Sequence, residues 1–131
     1  MPPAGPTPEP ASRGRGPLVL VAEDEFLLAM DLELLLERQG YRVLGPAATV
    51  AEALRLLDGG LPDAGLLDVN LRGEAASPVA ARLRSLGVPF VLASAYDGDR
   101  LAALGLGGAP NVGKPTDARR LLAALAKAAR R

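Results

Sequence analysis

"VLVAEDEFLLAM", residues 19–30, changes character twice: an apolar run stops on Glu23, Asp24 and Glu25, and apolar residues resume at Phe26. Extended backward, "LVLVA" (18–22) is apolar at every position, as a parallel strand covered on both faces should be. Extended forward, residues from about Phe26 to Gln39 read as a helix, with Gly40 where a left-handed C-terminal cap is expected. Strand, acids and helix form the unit that decides the fold. Three adjacent acids repel one another, and more strongly beside a low-dielectric core than in water. Something positive belongs with them.

The same unit recurs along the chain. "YRVLGPA" predicts a second strand, and "TVAE" (49–52) matches a capping box that opens a helix running to about Leu57, before Asp58-Gly59-Gly60 ends it. "DAGLLDV" (63–69) reads as a third strand and "NLRGEAA" as a loop. Ser77 is expected to cap a third helix, with Pro78 in its first turn and Gly87 at its end. "PFVLAS" (89–94) is a fourth strand. The Gly-rich segment after it has room for only a short helix near Asp99 to Leu104, in a stretch that reads as mobile. "NVGKP" holds a brief fifth strand, and Thr116 or Asp117 can cap a last helix whose "KAARR" end suits the negative end of the helix dipole. Five β/α units in a row predict an α/β fold, a doubly wound five-stranded parallel sheet with its crevice at the carboxyl ends of the strands. At that edge the acids, Asp68, Ser94 and Lys114 converge.

Composition removes many chemistries. The chain of 131 residues contains no cysteine and no histidine, which excludes thiolate chemistry, His-ligated zinc and histidine general bases. Lysine plus arginine equals aspartate plus glutamate at 15 each, so no overall field steers the protein onto nucleic acid or an anionic bilayer. Residues 1–16, "MPPAGPTPEPASRGRG", read as a disordered Pro/Gly-rich tail without the apolar region of a signal peptide, leaving 17–131 as one domain in the cytoplasm. No segment approaches the roughly 18 apolar residues that span a bilayer. "GLGG" (105–108) does not run from a strand into a helix as a dinucleotide fingerprint must, so it reads as a turn. Without interleaved aromatics, Lys127, Arg130 and Arg131 read as a solvated helix end rather than a nucleic-acid contact.

Taken singly, acids at a helix start complement the dipole, as Glu25 is read to do, and an aspartate closing a strand often serves a turn. Together at the ends of consecutive strands they suggest more. Carboxylates are hard ligands suited to Mg²⁺. An aspartate can attack phosphorus to form an aspartyl phosphate if positive charge shields its approach. A lysine and a serine hydroxyl can hold the phosphoryl oxygens.

The "VAEDE" acids, the "LLDV" aspartate, the "LASA" serine and the "GKP" lysine-proline stand in an order that resembles the response-regulator receiver domain over residues 17 to 131, a flavodoxin-like (βα)5 fold. That resemblance implies Glu23 and Asp24 as the acid pair holding Mg²⁺, Asp68 as both phosphoacceptor and ligand, and the Asn70 backbone carbonyl as a further ligand. It implies Ser94 as the switch hydroxyl, Lys114 as the phosphoryl contact, and a cis bond between Lys114 and Pro115. Asn111 stands where many receivers carry an aromatic, three residues before the lysine. "PFVLASAY" resembles the "PF-x-FATGY" stretch of the atypical FATGUY receivers, with Leu92, Ser94 and Ala95 in place of Phe, Thr and Gly, so Tyr96 is expected to take part in the switch. Asn70 and Tyr96, beside Ala95, are expected to tune dephosphorylation.

The resemblance implies a phosphoacceptor signalling domain, not an enzyme. Its donor would be a histidine kinase or phosphotransfer protein, its output an unknown protein partner, and its state a monomer or weak phosphorylation-dependent dimer. No residues follow the last helix to form an output domain, so a stand-alone receiver is expected. The rival readings are a phosphorylation-independent interaction module of the same fold and a phosphate sink for a shared kinase. A metal-dependent phosphohydrolase is disfavoured because "DVN" lacks a second acid two residues after Asp68.

Overall fold

Central strands of a doubly wound sheet must be apolar on both faces, and in the computed structural model, described for residues 16–129, they are. The sheet consists of β1 (Leu18–Ala22), β2 (Arg42–Ala47), β3 (Ala64–Asp68) and β6 (Phe90–Ala93), all parallel, in the order β2-β1-β3-β6. Alternate residues feed opposite layers. Leu20, Ala22, Leu67 and Leu92 pack with α2 (Val50–Gly59) and α3 (Ser77–Ser85). Val19, Val21, Leu66 and Val91 pack with α1 (Phe26–Arg38) and α5 (Ala118–Ala129). The helix between β6 and the last segment, α4 (Gly98–Ala103), is as short as the sequence predicts. Residues 1–15 of the expected tail and Arg130 and Arg131 lie outside the described residues.

Local chemistry explains most boundaries. The Thr49 hydroxyl accepts from the Glu52 amide at 3.1 Å, while Glu52 Oε1 accepts from the Ala48 amide at 2.7 Å, so the capping pair closes the start of α2 from both sides. Asp117, rather than Thr116, serves the start of α5 by accepting from the Arg119 amide at 2.8 Å. Ser77 does not cap α3. Ala76 stands at the cap, and the Ser77 hydroxyl instead donates to the Leu104 carbonyl. Arg84 adds hydrogen bonds to the carbonyls of Gly105 and Gly107, so α3 fastens the exit of α4.

Two expectations change. The fifth strand shrinks to a single bridge between Leu92 and Asn111, closed by hydrogen bonds from the Leu92 amide to the Pro110 carbonyl and from the Val112 amide to the Leu92 carbonyl. Pro110 has no amide to extend the ladder, and Gly113, at φ +84°, turns the chain away. The predicted loop after β3 contains a small antiparallel hairpin, β4 (Asn70–Leu71) and β5 (Glu74–Ala75), joined by Arg72 and Gly73, both at positive φ.

A bulge in β2 also shapes the edge. Leu20 pairs with Leu44 but Ala22 pairs with Ala47, leaving Gly45 and the cis-linked Pro46 as the irregular step. Beyond it the Ala47 carbonyl accepts from the Glu23 amide at 2.9 Å, which fixes the first acid. Gly45 has φ +105°, and an added Cβ would lie 2.8 Å from the Ala47 nitrogen and 3.0 Å from the Val21 oxygen. Gly45→Ala is therefore expected to destabilise the fold by roughly 2 kcal/mol, read by urea denaturation. A loss within ordinary surface-mutation scatter would show that the bulge can relax.

Candidate functional site

The carboxyl ends of β1 and β3 lie side by side, because Ala22 pairs with Leu67 in the register. Glu23 and Asp24 follow β1, and Asp68 closes β3. One carboxylate oxygen from each of the three lies within 4.8 Å of the others. Glu23 is 3% exposed and Asp68 9% exposed, so the repulsion argued from the sequence acts in poorly solvated surroundings.

Lys114 answers part of that charge. Its Nζ lies 2.9 Å from Asp68 Oδ2 and 3.4 Å from Glu23 Oε1. Burial by itself would lower the lysine pKa, but the Asp68 hydrogen bond and the charges of both acids outweigh it and raise the value above 10.5. Glu23 goes the other way for a carboxylate. Burial, reinforced by the Asp68 charge, raises it above 4.5 despite a hydrogen bond from the Glu25 amide and the nearby lysine. One ammonium faces three carboxylates, and the imbalance of two negative charges, carried by hard oxygens, fits a divalent cation.

The remaining residues are placed by turns. The Asp24 carboxylate accepts from the Arg72 amide at 2.9 Å, so the hairpin that the sequence did not reveal orients the second acid. Asn70 lies two residues past Asp68. Its amide makes a long 3.5 Å contact to Asp68 Oδ1, and its side-chain oxygen accepts from the Gly73 amide at 2.8 Å, closing the hairpin turn. Glu25 is the N-cap residue of α1 and contributes its amide to Glu23, not its carboxylate to the helix.

Asp68 pairs with Ala93 across the sheet, which puts the buried Ser94 one step beyond it. Ser94 Oγ accepts from the Tyr96 amide at 2.9 Å. That bond uses a lone pair and leaves the hydroxyl proton available for donation. Ala95 is exposed between them, and Tyr96 is half-buried with the Arg100 guanidinium 4.4 Å from its ring centroid. The Lys114–Pro115 bond is cis. The structure thus brings Glu23, Asp24, Asp68 and Lys114 together, with Asn70 in the turn after Asp68 and Ser94 on the adjacent strand end. Sequence reasoning missed Arg72 and the hydrogen-bonding role of Asn111, whose signals are only an Arg-Gly pair in a loop and an amide beside a strand end.

Neutralising one buried acid has an expected cost and benefit. In the metal-free protein Glu23→Gln should raise stability at neutral pH by about 1 kcal/mol, because the fold disfavours the charged form. The sign follows from the raised pKa: the gain is present above the folded-state value and gone below 4.5, where wild-type Glu23 is protonated in both states. Thermal melts across that pH range check it, and a stability loss at neutral pH would contradict it.

Comparison with known proteins extends this geometry. Residues 19–126 match the family model of the response regulator receiver domain. The positive alginate biosynthesis regulatory protein of Pseudomonas aeruginosa is 37% identical over 116 residues, covering 86% of this chain and 47% of that protein. The chain spans less than half the length of the first curated relatives it matches. Among solved structures, the signal receiver domain of a modulated diguanylate cyclase from Desulfovibrio desulfuricans superposes with a TM-score of 0.77 at 30% identity, covering 88% of this chain and 94% of that one. The receiver domain of PhyR from Erythrobacter litoralis gives 0.77 at 28% identity, covering 86% and 89%. Because the matched span begins in β1 and runs into α5, it takes in every element that carries the acids and the lysine, and the chain belongs to the family of response regulator receiver domains.

Proposed function

We propose that the domain accepts a phosphoryl group on the Asp68 carboxylate, from a histidine kinase or a phosphotransfer protein, and that the charged form is read by a protein partner in the cytoplasm. The observation that carries this is Asp68 itself, closing a buried strand with the Lys114 ammonium 2.9 Å from one of its oxygens. An Asp68 oxygen forms the new bond to phosphorus as the donor's bond to phosphorus breaks, its electron pair leaving with the donor. Lys114 holds a transferred oxygen as a point charge, and the Ser94 hydroxyl donates to another. Glu23, Asp24, Asp68 and the Asn70 carbonyl would hold Mg²⁺, which supplies positive charge where two anions must meet.

The donor's approach is supported by α1. Phe26, Leu27, Met30 and Leu34 are exposed on that helix, and Phe26 and Met30 share a concavity with Glu23 and Asp24. An exposed apolar stripe beside reacting groups suits protein docking. The read-out surface lies on the other side, where Ser94, Tyr96 and Arg100 link the site to the short α4. Ordering of that segment by the phosphoryl group supplies the switch. Asn70 and Tyr96 flank the acyl phosphate and tune its lifetime. The "PFVLASAY" stretch and the likeness to a PhyR receiver support placement in the FATGUY group.

A second reading, an interaction module of receiver fold that is read without phosphorylation, is supported by Asn111 in place of a mobile aromatic. Acetyl phosphate with Mg²⁺ separates the two: the first reading expects one added phosphoryl group by intact mass, prevented by a chelator. No addition under any Mg²⁺ concentration favours the second.

A further inference from the structure

We propose that Asn111 is a positioning residue that holds the Ser94 hydroxyl and the Lys114 ammonium in register for one phosphoryl group. This rests on the phosphoacceptor reading above. Its side-chain oxygen accepts from the Ser94 amide at 3.0 Å and from the Gly113 amide at 3.1 Å. Its side-chain nitrogen donates to the Ser94 carbonyl at 3.1 Å and to the Tyr96 carbonyl at 3.3 Å. These four bonds use both donors and both lone pairs of a carboxamide. The assignment of oxygen and nitrogen is fixed by the network itself, since a flipped amide would set oxygen against two carbonyls and nitrogen against two amides.

Where those bonds go decides the role. Two grip the backbone of Ser94, one grips Tyr96, and one grips Gly113, the residue next to Lys114. Asn111 is also the one residue of its segment bridged to the sheet, opposite Leu92. A single side chain therefore spans the loop that carries the Ser94 hydroxyl and the loop that carries the Lys114 ammonium. Among the described residues, the other hydrogen bonds between β6 and this segment are the two backbone bonds of Leu92, which lie before the loop that carries Ser94. The arrangement also runs onward, because Tyr96 carries Arg100 of α4 over its ring. An amide fits this position for a reason an aromatic could not share: it satisfies four backbone groups at a strand end that has lost its ladder.

The test is a double-mutant cycle on phosphoryl uptake from acetyl phosphate at saturating Mg²⁺. Asn111→Ala is expected to slow uptake about tenfold, as a small misplacement of reacting groups does, with Mg²⁺ affinity changed by less than about twofold. In a Ser94→Ala background the same substitution should slow uptake by less than about threefold, because the Ser94 contact is already gone and the placement of Lys114 is all that is left to lose. Unchanged uptake in Asn111→Ala, or an equal slowing in both backgrounds, overturns the proposal and leaves Asn111 a merely structural residue. If the alanine variant fails to fold, Asn111→Ser, which keeps one hydrogen-bonding group, is carried through the same cycle under the same criteria. Failure of the unsubstituted protein to take up phosphate is a separate result, visible before any variant is compared, and it removes the phosphoacceptor reading on which this one stands.

Discussion

Asp68→Asn is expected to abolish phosphoryl uptake, a loss of more than about a thousandfold, with the fold intact. An amide nitrogen has no lone pair comparable to a carboxylate's, and the remaining amide oxygen is far less nucleophilic. The substitution is nearly isosteric, which matters because Asp68 is 9% exposed and pairs with Ala93 in the sheet. The amide oxygen can still accept from the Lys114 ammonium, which lies 2.9 Å from Asp68 Oδ2, so the strand end keeps its main partner. A melting curve close to that of the unsubstituted protein accompanies the loss. Intact mass after exposure to acetyl phosphate and Mg²⁺ gives the answer directly. Wild-type uptake by Asp68→Asn would place the acceptor elsewhere, and Asp24, half-buried in the same cluster, becomes the next residue to replace.

The sheet and its helices were legible because their signals are periodic and local. Apolar runs such as "LVLVA" and the "AGLL" that precedes Asp68, the capping pair Thr49 and Glu52, and Gly40 just after the first helix each carry a physical demand that the sequence alone displays. Four site residues were legible for a different reason: polar residues ending apolar runs must gather at one edge of a parallel sheet. What failed were features set by tertiary partners. The hairpin at Asn70–Ala75 places Arg72 at φ 54°, a conformation that arginine does not advertise, and its amide gains Asp24 in return. Ser77 reads as a cap by residue type, yet its hydroxyl finds the Leu104 carbonyl, which no window of local sequence contains. The fifth strand was overestimated because "NVG" looks extended, whereas Pro110 and Gly113 leave room for one bridged residue. Asn111 was noticed only as a missing aromatic. Its value lies in four hydrogen bonds to groups that come together after folding.

Lys114→Met should slow phosphoryl uptake by about a hundredfold, the scale seen when one preorganised donor to a developing charge is lost. Methionine keeps the apolar stem of the side chain, so the change reports the ammonium rather than a cavity. The same variant is expected to lose about 2 kcal/mol of stability when metal-free at neutral pH, less than a fully buried pair would lose because the lysine side chain is 25% exposed. The raised lysine pKa fixes the sign. Protonated Lys114 contributes stability that is fully present below 10.5 and is lost only as pH rises through its higher folded-state value, so the deficit of the variant is complete at neutral pH and closes in strong alkali. Since Glu23 and Asp68 are then left without their ammonium, Mg²⁺ should stabilise Lys114→Met more than it stabilises the unsubstituted protein. Urea denaturation with and without Mg²⁺ measures that difference. Equal stabilisation of both proteins would mean that lysine and metal do not answer the same negative charge, and the electrostatic account of the site would fail even if Asp68 proved to be the acceptor.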